Sequence, residues 1–216
     1  MARPVGDAAA APGTGATYAI PRRLLRDDLP HDTVELARAL IGKSLVHDLP
    51  DGPAGVRIVE TEAYPVGDAA GHAFIGQTRF NTPLFEGFGR IHVYLGYGVS
   101  WLVNIASERA GVGAGVLFRA GEPVWGIGGM MSRRNRGRLV DLASGPGKLC
   151  QALEIDKRQD DGDYFDGGAV WLGDAVRPPG EIGVSLRIGI TKDAERPLRF
   201  YERSSSFVSG PKALNT

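Results

Sequence analysis

Apolar residues recur along this chain in two rhythms. Val34, Leu36, Ala37, Leu40 and Ile41 keep the three-to-four spacing of one helix face. Asp32-Thr-Val-Glu35 precedes them as a capping box, with Asp32 at the N-cap and Glu35 at N3, and Gly42 suits the C′ position. Short apolar or alternating runs follow, each bounded by Gly or Pro, and these predict strands. They cover Lys43–Asp48, then Val56–Tyr64 after a Pro50-Asp-Gly-Pro53 turn, Arg90–Tyr97 ending at Tyr97-Gly98, and Trp101–Ile105. Ala114–Phe118, closing at Arg119, Val184–Ile190 and Leu198–Tyr201 complete the set. A second helix is expected after Ser144-Gly-Pro-Gly147, through Lys148, Leu149, Leu153 and Ile155. Gly126–Gly129 suits a loop or a frayed helix. Strands and helices mix without regular βαβ alternation, so the fold class is α+β.

One strand breaks the pattern. Strict alternation from Val56 places Ile58, Glu60, Glu62 and Tyr64 on the same face. Two carboxylates thus share a face with two aliphatic residues. Either the strand runs from core into solvent, or a carboxylate is held at a sheet edge facing a cleft.

Composition narrows the classes. The 31 glycines among 216 residues are about twice the usual ~7%, and with 14 prolines they favour turns and short elements over a helix bundle. One domain is expected from the length, with Met1–Thr17, rich in Ala, Gly and Pro, as a disordered tail, 18–209 folded and 210–216 a C-terminal tail. That N-terminal stretch lacks the apolar core of a secretory signal, and no run approaches the ~18 apolar residues of a membrane span. A single cysteine, Cys150, excludes an intrachain disulfide and cysteine-rich zinc sites, and suits a reducing compartment. His31, His47, His72 and His92 fall at no metal-ligand spacing, so no metal is expected. Gly145-Pro-Gly-Lys148 is followed by Leu149 where a phosphate loop needs Ser or Thr. Neither Gly126-Ile-Gly128 nor Gly111-Val-Gly113 has the third glycine of a dinucleotide fingerprint.

Seven blocks in order resemble the alkyladenine (3-methyladenine) DNA glycosylases. They are Leu36-Ala-Arg-Ala-Leu-Ile-Gly42, Arg57-Ile-Val-Glu-Thr-Glu-Ala-Tyr64, Gly67-Asp-Ala-Ala-Gly-His72 and His92-Val-Tyr-Leu-Gly-Tyr-Gly98 leading to Asn104. Val116-Leu-Phe-Arg-Ala-Gly-Glu-Pro123, Ser144-Gly-Pro-Gly-Lys-Leu-Cys-Gln-Ala-Leu153 and Arg196-Pro-Leu-Arg-Phe-Tyr201 complete them. The resemblance implies a single α+β domain around a curved, mainly antiparallel sheet with flanking helices. It implies an enzyme that flips a damaged purine (3-methyladenine, 7-methylguanine or hypoxanthine) from duplex DNA and hydrolyses its N-glycosidic bond, leaving an abasic site. No cofactor is implied. The partner is double-stranded DNA, the protein is expected to act as a monomer, and the cytoplasm or nucleoid of a prokaryote is the expected location. A lesion binder without catalysis and a hydrolase of free nucleosides are the competing classes. Glu62 with Arg119 argues against the first, and a wedge tyrosine with an arginine run argues against the second.

The resemblance also distributes roles. Glu62 matches the carboxylate that activates water, with Glu60 the competitor on the same strand face; only the resemblance chooses between them. Arg119 matches an arginine near that water, and Ile188 a position, here on the expected Arg187-Ile-Gly-Ile strand, whose backbone carbonyl helps to hold it. Tyr64 and His72 match pocket walls, with Tyr94 opposite, and Asn104 matches an asparagine able to reject guanine's exocyclic amine. Tyr97 matches the residue that intercalates where the flipped nucleotide was. Val99 and Ser100 follow Gly98 where family members often carry Met and then His or Tyr.

Equal counts of basic and acidic residues, 25 each, first argue against a nucleic-acid partner. Their distribution reverses this. Residues 101–150 hold seven basic and three acidic side chains, a local excess of four positive charges. Arg133, Arg134, Arg136 and Lys148 are accordingly expected to contact DNA phosphates, which require a basic face rather than a basic protein.

Overall fold

The computed structural model describes residues 18–215. The expected tail over 1–17 lies outside the described residues. Among those described, eight strands form one antiparallel sheet: β1 (Ser44–Leu49), β2 (Gly52–Tyr64), β3 (Ile91–Gly96), β4 (Ser100–Ala106), β5 (Gly115–Trp125), β6 (Val170–Gly173), β7 (Ile182–Ser185) and β8 (Arg199–Glu202). Strand β2 is the spine. One edge pairs with β5 along nearly its whole length. The other pairs with β1 over residues 52–57 and with β8 over residues 60–62, and β7 continues beyond β8. The sheet runs β3-β4-β5-β2-β1-β6, so this change of partner along β2 forks and curls it.

Alternation assigns the two faces. Ile91 and Val93 of β3, Val103 and Ile105 of β4, and Val116 and Phe118 of β5 belong to the main core. Three helices cover that face: α1 (Thr33–Ala39), α2 (Ile127–Arg134) and α3 (Pro146–Leu153). They contribute Leu36, Ala37, Met130, Leu149, Cys150 and Leu153, all fully buried. Each large apolar side chain so buried contributes about 1.5–3 kcal/mol. The intervening residues, His92, Tyr94, Leu102, Asn104, Leu117 and Arg119, line a cavity on the uncovered face.

Strand β2 departs from simple alternation, which resolves its anomaly. Ile58 pairs with Gly121 and Glu60 with Ala120, so Val59 is one residue too many on β2. Thr61 then pairs with Phe118, so Arg119 is one too many on β5. These adjacent bulges invert the facing of both strands. Val56 and Ile58 lie in the main core before the bulge and Ala63 after it, while the Thr61 hydroxyl donates to the Ala37 carbonyl of α1. Glu62 and Tyr64 therefore turn away from the aliphatic face that strict alternation gave them. Gly121 makes the crossing fit, since a Cβ there would lie 2.4 Å from a Val56 methyl.

Asp32 caps α1, accepting from the Val34 and Glu35 amides at 2.9 Å each, a contribution of about 1 kcal/mol. The helix ends at Ala39 rather than Ile41 because its last turn tightens, with Ile41 N–H donating to the Arg38 carbonyl. Gly42 is thus the second residue past the cap Leu40, at φ +89°. The glycine-rich segment after Gly126 forms α2. Strand β5 does not close at Arg119 but continues to Trp125. The expected strand over Val184–Ile190 is corrected to β7, which stops at Ser185; Arg187 and Ile188 leave it to reach β2. Beyond Ser209, Asn215 accepts a hydrogen bond from Arg199 at 2.7 Å.

Candidate active site

The uncovered face carries a cavity of about 1030 Å³. Its lining includes Tyr64, His72, Tyr94, Tyr97, Asn104, Arg119 and Ile188. Residues scattered over 125 positions of sequence thus meet in one place. Glu62 lies fully buried behind the wall, bonded to two lining residues.

The two neighbouring carboxylates differ in environment. Glu60 Oε1 accepts from Arg119 Nε at 2.8 Å, Arg199 Nε at 2.7 Å and the Ser209 hydroxyl at 2.9 Å, while Oε2 accepts from the Ser209 amide at 2.6 Å. Burial would raise its pKa, but Arg119 and Arg199 outweigh burial and hold the carboxyl below the ordinary range. Glu62 Oε1 accepts from the Ile188 amide at 2.7 Å and Oε2 from the Tyr64 hydroxyl at 2.9 Å, with Arg119 Nη1 3.3 Å away. Here burial prevails over Arg119, the amide and the hydroxyl, and the pKa is raised. Glu60 is an occupied ion-pair centre. Glu62 is a basic carboxylate with acceptor capacity left, because a carboxylate offers about four lone-pair sites. The backbone N–H of Ile188 is what meets Glu62.

Arg119 stays charged: burial opposes its charge, but Glu62 and Glu60 favour it more. Its place on a bulge aims it between them. Burial, with Glu62 nearby, pushes the phenols of Tyr64 and Tyr94 upward, so both remain protonated donors. His72 and Tyr94, expected on facing walls, have ring centroids 4.0 Å apart with their planes tilted by 58°, so they adjoin each other in the cavity wall. Burial, and secondarily His92, lowers the pKa of His72 and keeps it neutral at pH 7. The Asn104 amide donates to the His92 carbonyl across the β3–β4 pair at 3.2 Å. His92 also lines the cavity, with Nε2 3.4 Å from His72 Nδ1. The same alternation that places Tyr94 would have placed His92 beside it in the sequence.

Tyr97 sits at the tip of the β3–β4 hairpin, 83% exposed, in the left-handed region at φ +51°. That conformation costs a non-glycine residue about 1–3 kcal/mol, and here the turn and a hydrogen bond from its hydroxyl to the Gly189 carbonyl hold it. Exposed Leu95 and Val99 flank it, so the tip is an apolar ridge rather than a lone ring.

The cationic run divides. Arg133 donates to the Ala152 carbonyl at 2.9 Å, and Arg134 to the Leu142 carbonyl at 3.0 Å and to the Gln151 side chain. Both are half-buried and join α2 to the end of α3 and the chain before it. Arg136 and Lys148 are exposed. Lys148 lies at the opposite end of α3, two residues from Pro146 in the cavity wall.

A buried carboxylate with a raised pKa, an arginine beside it, and aromatic walls suit hydrolysis of a bond to a flat ring. Comparison with known proteins identifies the setting. The model of the methylpurine-DNA glycosylase family matches residues 27–206. The chain belongs to that family. It is a DNA glycosylase, an enzyme of DNA repair that hydrolyses N-glycosidic bonds, and base flipping is general to such enzymes. A protein of Mesorhizobium japonicum named "Putative 3-methyladenine DNA glycosylase" is 58% identical over 193 residues, 88% of this chain and 92% of the relative. Proteins of the same name from Paraburkholderia phytofirmans and Methanocella arvoryzae are 49% and 43% identical, over 88% and 86% of this chain and 90% and 95% of theirs. Among the described residues of the glycosylase, no group of three or more His, Cys, Asp or Glu could hold a metal ion. No described helix is long and apolar enough to cross a membrane.

Proposed function

We propose that this enzyme is a monofunctional glycosylase that removes alkylated and deaminated purines, 3-methyladenine, 7-methylguanine and hypoxanthine, from duplex DNA. The observation that carries this reading is the buried, raised-pKa Glu62 at the wall of an aromatic cavity. Ionised Glu62 accepts a proton from water as the water oxygen bonds to C1′. The N-glycosidic electron pair leaves with the base, and the free base and an abasic site result. The carboxylate also stabilises positive charge developing on the sugar. Arg119, 3.3 Å from Glu62, stays protonated and orients the carboxylate and the water.

The flipped base packs against the adjoining His72 and Tyr94 rings, with Tyr64 closing the site beside Glu62. Stacking on aromatic side chains contributes roughly 1–3 kcal/mol per base. Asn104 disfavours guanine by clash with its exocyclic amine. Tyr97 enters the duplex where the nucleotide was, and Arg136 and Lys148 contact phosphates, with Arg133 and Arg134 beside them. A cationic base such as 3-methyladenine departs without protonation, so it is the substrate this site serves most directly. The test is single-turnover base release from duplexes carrying each of these purines, with wild type and Glu62→Gln. Release by wild type and none by the variant, at preserved DNA binding, is expected. Near-normal turnover by the variant would overturn the role of Glu62.

A further inference from the structure

The two groups that hold Glu62, the Tyr64 hydroxyl and the Ile188 amide, come from segments 124 residues apart. One side chain joins them. Arg187 is buried, and its guanidinium bonds to three pieces of chain. Nη1 donates to the Ala63 carbonyl at 3.0 Å, on the residue between Glu62 and Tyr64. Nη1 and Nη2 bind the Asp68 carboxylate at 2.6 and 3.1 Å, both side chains fully buried. Nη2 also donates to the Asp193 carbonyl at 3.1 Å, at the far end of the loop that begins with Ile188. Asp193 returns to the same knot, accepting from the Ala69 amide at 2.8 Å. The guanidinium plane lies over the Tyr64 ring at 4.7 Å.

We propose that Arg187, clamped by Asp68, is a positioning residue for the water-activating carboxylate. It fixes the Tyr64 ring by stacking, the Glu62–Tyr64 strand end through the Ala63 carbonyl, and the Ile188 amide through its own backbone. Nothing in Arg187 touches substrate; it acts through the two donors on Glu62. This rests on the assignment of Glu62 as the base. A planar fork is needed because one group must serve two carbonyls, a carboxylate and a ring face together, which the single point charge of lysine cannot do. The chemistry also explains why a costly buried ion pair is retained here: it holds one arrangement of three segments.

The experiment compares Arg187→Lys, the double variant Arg187→Gln/Asp68→Asn, which removes both charges of the buried pair and leaves Arg196 to its other partner Asp193, and Glu62→Gln. Each is measured for thermal melting, binding to duplex carrying a damaged purine, and the pH dependence of single-turnover base release. Arg187→Lys is expected to fold and bind DNA within about two-fold of wild type, while release slows by about 10²-fold, the scale of an ångström-level misplacement near the chemistry. Its acid limb moves to higher pH, because a Glu62 with loosened donors loses hydrogen bonds that favour the carboxylate. A role confined to folding would lower melting without moving that limb. Wild-type release with an unmoved limb in either folded Arg187 variant overturns the proposal, as does failure of both to fold. An active Glu62→Gln instead overturns the assignment of the base itself.

Discussion

Glu60 and Glu62 stand two residues apart on one strand, and their substitution to glutamine separates a structural carboxylate from a working one. Glu60 is the shared counter-ion of Arg119 and Arg199, fully buried, with its pKa lowered. A lowered folded pKa means that its ionised form supports the fold above the unfolded pKa, and that support is lost as pH falls through the folded one. Glu60→Gln leaves two guanidiniums near a neutral amide, and breaking a buried pair in this way costs about 3–5 kcal/mol. For a domain of this size that is a fall in Tm of roughly 6–20 °C. Glu62 has the opposite sign. With its pKa raised, ionisation works against the fold, and that penalty appears as pH rises through the folded value. Glu62→Gln removes the penalty and keeps an acceptor oxygen for the Ile188 amide, while its new amide N–H can donate to the Tyr64 hydroxyl, so it should melt at or above the wild-type temperature at pH 7.5 while losing base release. Differential scanning fluorimetry on both variants, with single-turnover release on the same preparations, checks the pair. A Glu62→Gln enzyme that melts as low as Glu60→Gln, or a Glu60→Gln enzyme that melts like wild type, would refute the assignment.

The raised pKa of Glu62 places the acid limb of base release above the ordinary carboxylate pKa of ~4.3, with the rate falling as pH drops through it; a rate-versus-pH profile on a 3-methyladenine duplex reads it. A limb at or below that value would contradict the environment described. Tyr97→Ala should lose no more stability than the ~1 kcal/mol of its one hydroxyl hydrogen bond, since the ring is exposed, yet release bases from duplex poorly; unchanged release would remove the intercalating role. Neutralising Arg136 and Lys148 together should flatten the salt dependence of binding by about 0.9 for each phosphate no longer neutralised, at unchanged Tm. Arg134→Ala should lower Tm because its hydrogen bonds to Leu142 and Gln151 disappear, and an unaltered salt slope in the double variant would remove the basic face.

Much of this fold is legible in the sequence because the sheet obeys alternation. The residues of β3, β4 and β5 that face the helices are apolar, and those between them carry the chemistry, so His92, Tyr94 and Asn104 fall on one side by parity alone. Strand β2 defeats that reading because alternation presumes an unbroken ladder. A bulge depends on the partner strand, and nothing within Val56–Tyr64 announces that Val59 is unpaired. The choice between Glu60 and Glu62 is hidden for the same kind of reason. It depends on Arg199 and Ser209, about 140 residues away. The arginine run shows the opposite limit. Composition counts four cations over Arg133–Arg138, but not that Arg133 and Arg134 spend their donors on carbonyls of their own fold. The departure of Ile188 from β7 is equally non-local, being set by its bond to Glu62.

The two bulges have a consequence for how such a site arises. Val59 is surplus on β2 and Arg119 on β5, and the two offsets cancel: Val56 opposes Pro123 before them and Glu62 opposes Leu117 after them, in the same relative register. The charged centre is an insert between two stretches of the ladder, Val56–Ile58 and Thr61–Tyr64, that share one register. Its geometry can drift, be tuned or be lost within a few residues while the surrounding strands keep their pairings, so that an active enzyme and an inactive lesion binder could share nearly the same scaffold.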